Sequence, residues 1–230
     1  MDDRTIWYLE NIDVTGLFCP KKLGMGQKHV EQSYKKGDFI FLPDDQADQL
    51  FFLFEGRVKI GTYGNGGKEV TKAILSQGEV FGEMGLVGAE KHRDFAQAME
   101  DTVLCVVQVK ELRALMKEHS GLQLFMMKLL GSKILAMERR LEALIFKDSR
   151  TRVVEFLYNL ARDKGQRVGF EMLVSKFIPH KEIASLTATS RQTVTTVLNE
   201  LREKNILKFD RRRLLIRDMD LLAKEGNISV

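Results

Sequence analysis

The chain has 230 residues, enough for one or two domains at about 100–200 residues each. Hydrophobic residues at 44% and charged residues at 30% exclude disorder of the whole chain. The net charge of +4 averages two unlike halves: residues 1–120 carry 15 Lys/Arg against 19 Asp/Glu, whereas residues 121–230 carry 21 against 13. The basic half is therefore the one expected to meet a polyanion.

Two cysteines, Cys19 and Cys105, exclude four-cysteine zinc ribbons and iron–sulfur sites. Such sparse use fits a reducing cytoplasm. The start, Met1-Asp2-Asp3-Arg4, lacks the apolar core of a secretion signal, and no run of about 18 uncharged apolar residues predicts a membrane span.

Residues 35–110 alternate short apolar runs with turn signals. The runs are 39–42, 50–54, 58–60, 70–75 and 103–107, and Gly37, Gly56, Gly64–Gly67 and Gly78 stand between them. That rhythm predicts an antiparallel roll of jelly-roll type, with Gly64–Gly67 as a hairpin tip. Beyond residue 110 the period lengthens. Met127, Leu130, Ile134, Met137, Leu141 and Leu144 follow spacings of 3 and 4, which is an a/d seam. The seam predicts a long helix that pairs with a second copy along it; the plainer reading is an amphipathic helix on its own domain.

Lys147-Asp148-Ser149 breaks this pattern, and Asp148 or Ser149 can cap a helix from Arg150 to Ala161. The expected division is 1–120, a β-roll domain; 121–148, a dimerisation helix; and 149–230, a third segment. After the capped helix, a strand pair is expected around 168–170 and 177–178. Pro179 then opens a short helix to Leu186, and Thr187-Ala188-Thr189 makes a tight break. Ser190 caps a second helix to about Lys204, with Val194, Val197, Leu198 and Leu201 as its buried stripe. Two helices joined by a three-residue turn are a helix-turn-helix. Its outer face carries Ser190, Arg191, Gln192, Thr195 and Thr196, groups suited to base edges and phosphates, and Thr189 and His180 adjoin it. A charged tip, Arg211, Arg212 and Arg213, follows between two apolar runs, where a wing would touch phosphate. Asp218 can cap a last short helix through Leu222.

These residues, together with Gly37-Asp38, Gly56, Gly78–Leu86, Arg93, Lys181–Ala184 and Ser190–Val194, resemble the Crp–Fnr family of bacterial transcription regulators. The resemblance runs from about Lys35 to Leu222. It implies an α+β chain: an N-terminal cyclic-nucleotide-binding-type β roll, a long dimerisation helix and a C-terminal winged helix-turn-helix. The implied partners are double-stranded DNA with a palindromic operator, a second copy of the chain, and RNA polymerase.

The resemblance also implies an effector cassette of Gly82, Glu83, Met84, Gly85 and Arg93. In nucleotide-binding members the carboxylate accepts from a ribose hydroxyl and the arginine pairs with a cyclic phosphate. Asp94 departs from the pattern, because it stands where binders place a small hydroxyl donor. A carboxylate there cannot donate and repels an anion. Its expected partner is Arg93, which would leave the site self-filled. Met137 stands near the place of the hydroxyl residues that meet adenine. A cyclic nucleotide, a different small ligand and a purely bracing cassette therefore all stay open. Haem ligation through Cys19, His29, His92 or Cys105 has no motif behind it; Cys105 reads as a buried small hydrophobe and His92 as surface loop. Cys19 is a candidate redox thiol.

In the implied interface Arg191 reads guanine O6/N7. Gln192 replaces the Glu of many members and favours adenine, while Thr196 replaces a second base-reading Arg. A cyclic-nucleotide module acting on a partner protein is the competing reading. No nucleophile–base pair, metal cluster or P-loop points to an enzyme.

Overall fold

The computed structural model describes residues 30–228, so Cys19 and His29 lie outside the described residues. The chain divides into two units, Met1–Leu135 and Ala136–Val230, with the division inside one long helix.

Among the described residues the first unit contains eight strands: β1 (Val30–Tyr34), β2 (Phe39–Phe41), β3 (Gln49–Glu55), β4 (Arg57–Tyr63), β5 (Glu69–Ser76), β6 (Val80–Phe81), β7 (Phe95–Ala98) and β8 (Thr102–Gln108). They form two antiparallel four-stranded sheets, ordered β1-β8-β3-β6 and β2-β7-β4-β5. Side chains alternate across a strand, so β3 and β8 can serve two cores at once. Phe51, Leu53, Leu104 and Val106 meet Phe41, Val58, Leu75 and Ala96 in one cluster. Leu50, Phe52, Cys105 and Val107 meet helical residues in another. This double burial is why 50–54 and 103–107 read as unbroken apolar runs rather than alternating ones. Cys105 is buried there, as its strand position predicts.

The helical cover of that second core is α1 (Val109–Glu118), through Leu112, and α2 (Ser120–Phe146), through Leu122, Phe125 and Met126. α2 therefore has two apolar faces. One is buried in its own unit. The other is the predicted seam, and in the single chain it is open: Met127 is 70% exposed, Ile134 60% and Met137 72%. Leu141 and Leu144 are also exposed, and Leu130 is half-buried.

The second unit continues with α3 (Ser149–Lys164), whose N-terminus Asp148 caps by accepting from the Thr151 N–H at 2.7 Å. Then come β9 (Gln166–Val168), β10 (Glu171–Val174), α4 (His180–Leu186), α5 (Arg191–Glu203), β11 (Leu207–Phe209), β12 (Leu214–Ile216) and α6 (Met219–Glu225). The four strands form one antiparallel sheet ordered β11-β12-β10-β9. The expected strand at 177–178 is not formed. β10 pairs with β9 through a turn at Gly169-Phe170, and Phe177 is instead tied to the wing by its N–H donating to the Arg212 carbonyl at 2.9 Å.

The break between α4 and α5 contains Ala188 at φ +49°, a left-handed conformation costly for any residue with a Cβ. Ala188→Gly should raise the unfolding free energy by about 0.5–1 kcal/mol, after the greater backbone entropy of glycine is subtracted. Urea denaturation checks this, and an unchanged or lower stability would remove the strain argument.

Candidate nucleic-acid interface and effector cassette

α5 is the second helix of the helix-turn-helix. Ser190 caps it, its Oγ accepting from the Thr193 N–H at 3.0 Å, so this hydroxyl is committed to the helix end. Val194, Val197, Leu198 and Leu201 are buried, which fixes the opposite face outward. Arg191, Gln192 and Thr196 are exposed on that face. Thr195, half-buried, is engaged internally: its Oγ1 donates to the Arg191 carbonyl at 2.9 Å and lies 3.0 Å from His180 Nδ1. Thr189 is half-buried in the turn, with its N–H donating to the Ala184 carbonyl.

The wing tip between β11 and β12 is an aspartate turn. The Asp210 carboxylate accepts from the backbone N–H groups of Arg212 and Arg213 at 2.6 and 2.8 Å. Those bonds hold its pKa below the ordinary aspartate value, so the turn is stabilised by an ionised carboxylate. Arg211, Arg212 and Arg213 are all exposed around it. Three guanidiniums on a short fixed loop make a concentrated positive field, suited to phosphate oxygens.

Two arginines that carried no sequence signal position this apparatus. Arg152 on α3 donates from Nε to the Thr187 carbonyl at 2.9 Å, from Nη2 to the Ala188 carbonyl at 3.1 Å and from Nη1 to the Lys147 carbonyl at 2.7 Å. It thus satisfies carbonyls at the helix-turn-helix break. Arg140 on α2 donates to the Ser185 carbonyl at 3.0 Å, and desolvation lowers its pKa from the ordinary arginine value. In sequence both look like solvated charges on helical faces.

In the first unit, Phe81-Gly82 leads into a short 3-10 turn, Glu83–Val87. Gly82 stands at φ +85°. A Cβ built on Gly85 would lie inside the van der Waals shell of the Ala47 carbonyl oxygen, so the chain approaches itself more closely than any other residue permits. Arg113 donates to the Gly85 and Leu86 carbonyls at 3.0 and 3.2 Å and so braces the turn. Glu83 is buried, and its carboxylate pairs with Lys133 of α2 at 2.7 Å. Lys133, absent from the sequence-based candidates, is thereby part of the cassette's surroundings. Met84 is exposed; Met137 belongs to the second unit.

The expected pair of Arg93 with Asp94 is not formed. Asp94 Oδ1 lies 2.6 Å from Lys72 Nζ of β5, and Arg93 is exposed with no ion pair among the described residues. Adjacent side chains diverge from the backbone, and β5 supplies the cation instead. His92 also departs from expectation. It is buried, with its ring stacked on Phe41 at 3.7 Å and 6°, so it is a core side chain rather than surface loop. Desolvation lowers its pKa, against the raising effect of Asp45, Asp48, Glu83 and Asp94.

For a cyclic nucleotide the fit is mixed. Arg93 and the glycine turn suit a phosphate, but Glu83 already accepts from Lys133, and the Asp94 carboxylate offers no donor.

The cyclic nucleotide-binding domain family matches residues 31–119, and the Crp-like helix-turn-helix domain family matches residues 151–225. The global nitrogen regulator of Synechocystis sp. is 30% identical over 198 residues, which cover 85% of this chain and 88% of that protein. The cyclic AMP receptor protein of Thermus thermophilus is 31% identical over 207 residues, covering 90% and 93%. Among solved structures, a CooA mutant from Carboxydothermus hydrogenoformans has a TM-score of 0.76 at 30% identity, covering 88% of this chain and 90% of that one. With the β roll, long helix and helix-turn-helix already built from its own residues, the chain belongs to the Crp–Fnr family of transcription regulators.

Proposed function

We propose that the chain acts in the cytoplasm as a homodimeric, sequence-specific DNA-binding regulator, with a β roll that senses an effector. The observation that carries this reading is the exposed Arg191, Gln192 and Thr196 face of a capped helix, beside a wing tip of three exposed arginines. The open seam of α2, from Met127 to Leu144, favours a second copy as its cover, because one copy leaves these residues in water. In this proposal 1–120 is the sensor, 121–148 the dimerisation helix and 149–230 the DNA reader. Two copies would place two reading helices in successive major grooves of a palindrome, about one helical turn apart. RNA polymerase is the proposed protein partner.

The effector is proposed to be something other than cyclic AMP. Arg93 supports an anionic ligand, while Asp94 offers a cyclic phosphate no donor and the Glu83–Lys133 pair occupies the carboxylate that a ribose hydroxyl would need. Relatives named for nitrogen regulation and for cyclic AMP both resemble this chain, so kinship does not decide between effectors.

In vitro selection of duplexes bound by the full chain, with and without cyclic AMP, tests both statements. The expected result is one palindrome with a guanine in each half-site, bound equally in the two conditions. Recovery only with cyclic AMP would overturn the effector statement. Failure to retain any duplex would overturn the DNA reading and favour a module that acts on a partner protein.

Replacing Arg211, Arg212 and Arg213 with glutamine should weaken binding on all sequences and flatten the salt dependence. Each lost phosphate contact lowers the log–log slope by about 0.9. Titration between low and moderate salt measures it; an unchanged slope would take the wing off the contact surface.

A further inference from the structure

His180 is the first residue of α4 and is half-buried where the wing and the reading helix meet. Its ring centroid lies 5.7 Å from that of Phe209 on β11 and 6.4 Å from that of Phe177. Phe177 and Phe209 are themselves 6.4 Å apart, and the Phe177 N–H holds the Arg212 carbonyl of the wing tip. The Arg202 guanidinium of α5 lies 5.5 Å from the centre of the Phe209 ring. On the other side, His180 Nδ1 is 3.0 Å from Thr195 Oγ1 on the reading helix.

One tautomer of His180 accommodates both bonds of the Thr195 hydroxyl at once. The Thr195 hydroxyl has one proton, and it goes to the Arg191 carbonyl. Toward His180 the oxygen must therefore accept, so Nδ1 carries the imidazole proton. In the neutral ring Nε2 is then a bare acceptor, and it makes no hydrogen bond among the described residues. Burial lowers the pKa of His180 from the ordinary histidine value, and Arg191, the charged group on the packed elements that bears on the ring, lowers it further. A bare acceptor beside arriving phosphates is an electrostatic mismatch that one proton removes, because Nε2–H then donates while Nδ1–H keeps Thr195.

We infer that His180 is the positioning residue that links the wing to the reading helix, and that it takes up a proton when DNA binds. The inference rests on the DNA reading above. Before binding, the Arg191 charge and burial favour the neutral ring. In the complex, the negative potential of the duplex offsets the Arg191 charge, so the charged ring is favoured. Affinity is then constant well above the bound-state pKa, rises as pH falls through the interval down to the free-state pKa, and levels off below it.

The test uses the full chain and the duplex recovered by selection, at constant ionic strength, between about pH 6 and pH 8, the range in which histidine changes charge. The expected result is affinity that tightens towards the acid end by up to about tenfold per unit of pKa shift for each half-site. His180→Gln should give a flat profile at the weak, high-pH level, and His180→Arg a flat profile near the tight level. A merely structural role would move neither slope. A slope that persists in His180→Gln, or a flat wild-type profile, would overturn the inference. Calorimetry of the wild-type protein in two buffers of different ionisation enthalpy reads proton uptake without any variant, and zero uptake would overturn it as well. A wild-type chain that binds no duplex at any pH would overturn the DNA reading, and this inference with it.

Discussion

Arg191→Ala should weaken binding to the selected palindrome by about 1–3 kcal/mol per half-site. Across the two half-sites of a dimer the lower bound is already roughly 30-fold in affinity. The size follows from placement. Arg191 is the first residue of a helix whose cap is satisfied by Ser190, its side chain is exposed, and its backbone carbonyl is held by Thr195. The guanidinium therefore projects from a fixed base, and a bidentate contact to guanine loses little to disorder. The loss should fall on sequences carrying the guanine and should relax only that position. Competition titrations with single-base operator variants measure this. Equal weakening on every duplex would reassign Arg191 to phosphate.

Gly85→Ala should have the largest effect on stability, about 3 kcal/mol lost in the first unit, since the new methyl meets backbone rather than a side chain that can swing away. The Ala47 carbonyl cannot yield without moving the segment between β2 and β3. Displacing the turn would also disturb the Arg113 bonds to the Gly85 and Leu86 carbonyls and the Glu83–Lys133 pair. Denaturant unfolding monitored on the first unit checks the prediction. Gly121→Ala is the matched control: a Cβ there meets nothing within 4 Å, and the change should stay within about 1 kcal/mol. A Gly85 variant as stable as this control would mean that the turn adapts.

Much of the architecture was legible before folding. The 3–4 spacing from Met127 to Leu144 announced α2, and Ser190 and Asp218 announced their helices by cap chemistry that is local in sequence. Less visible was β7, whose Phe95-Ala96-Gln97-Ala98 has weak strand propensity and is held by pairing with β2 and β4 on either side. The strand expected at 177–178 failed for a similar reason. Its apolar residues are buried, but the backbone partner of Phe177 is the wing tip rather than a neighbouring strand.

The site divides along the same line. The sequence by itself determined the capped second helix of the helix-turn-helix, the arginine-rich tip between β11 and β12, the glycine turn before Glu83 and the family, because each depends on residue type at short spacing. Only the tertiary structure decided which charges meet. It joined Asp94 to Lys72 rather than Arg93, Glu83 to Lys133, and Arg152 to the carbonyls of the helix-turn-helix break. It also buried His92 against Phe41 and placed His180 between wing and reader. Ion pairs and ring contacts between residues tens of positions apart are set by strand register and helix packing. A charged side chain looks the same in sequence whether it ends in water, in a pair or on a backbone carbonyl.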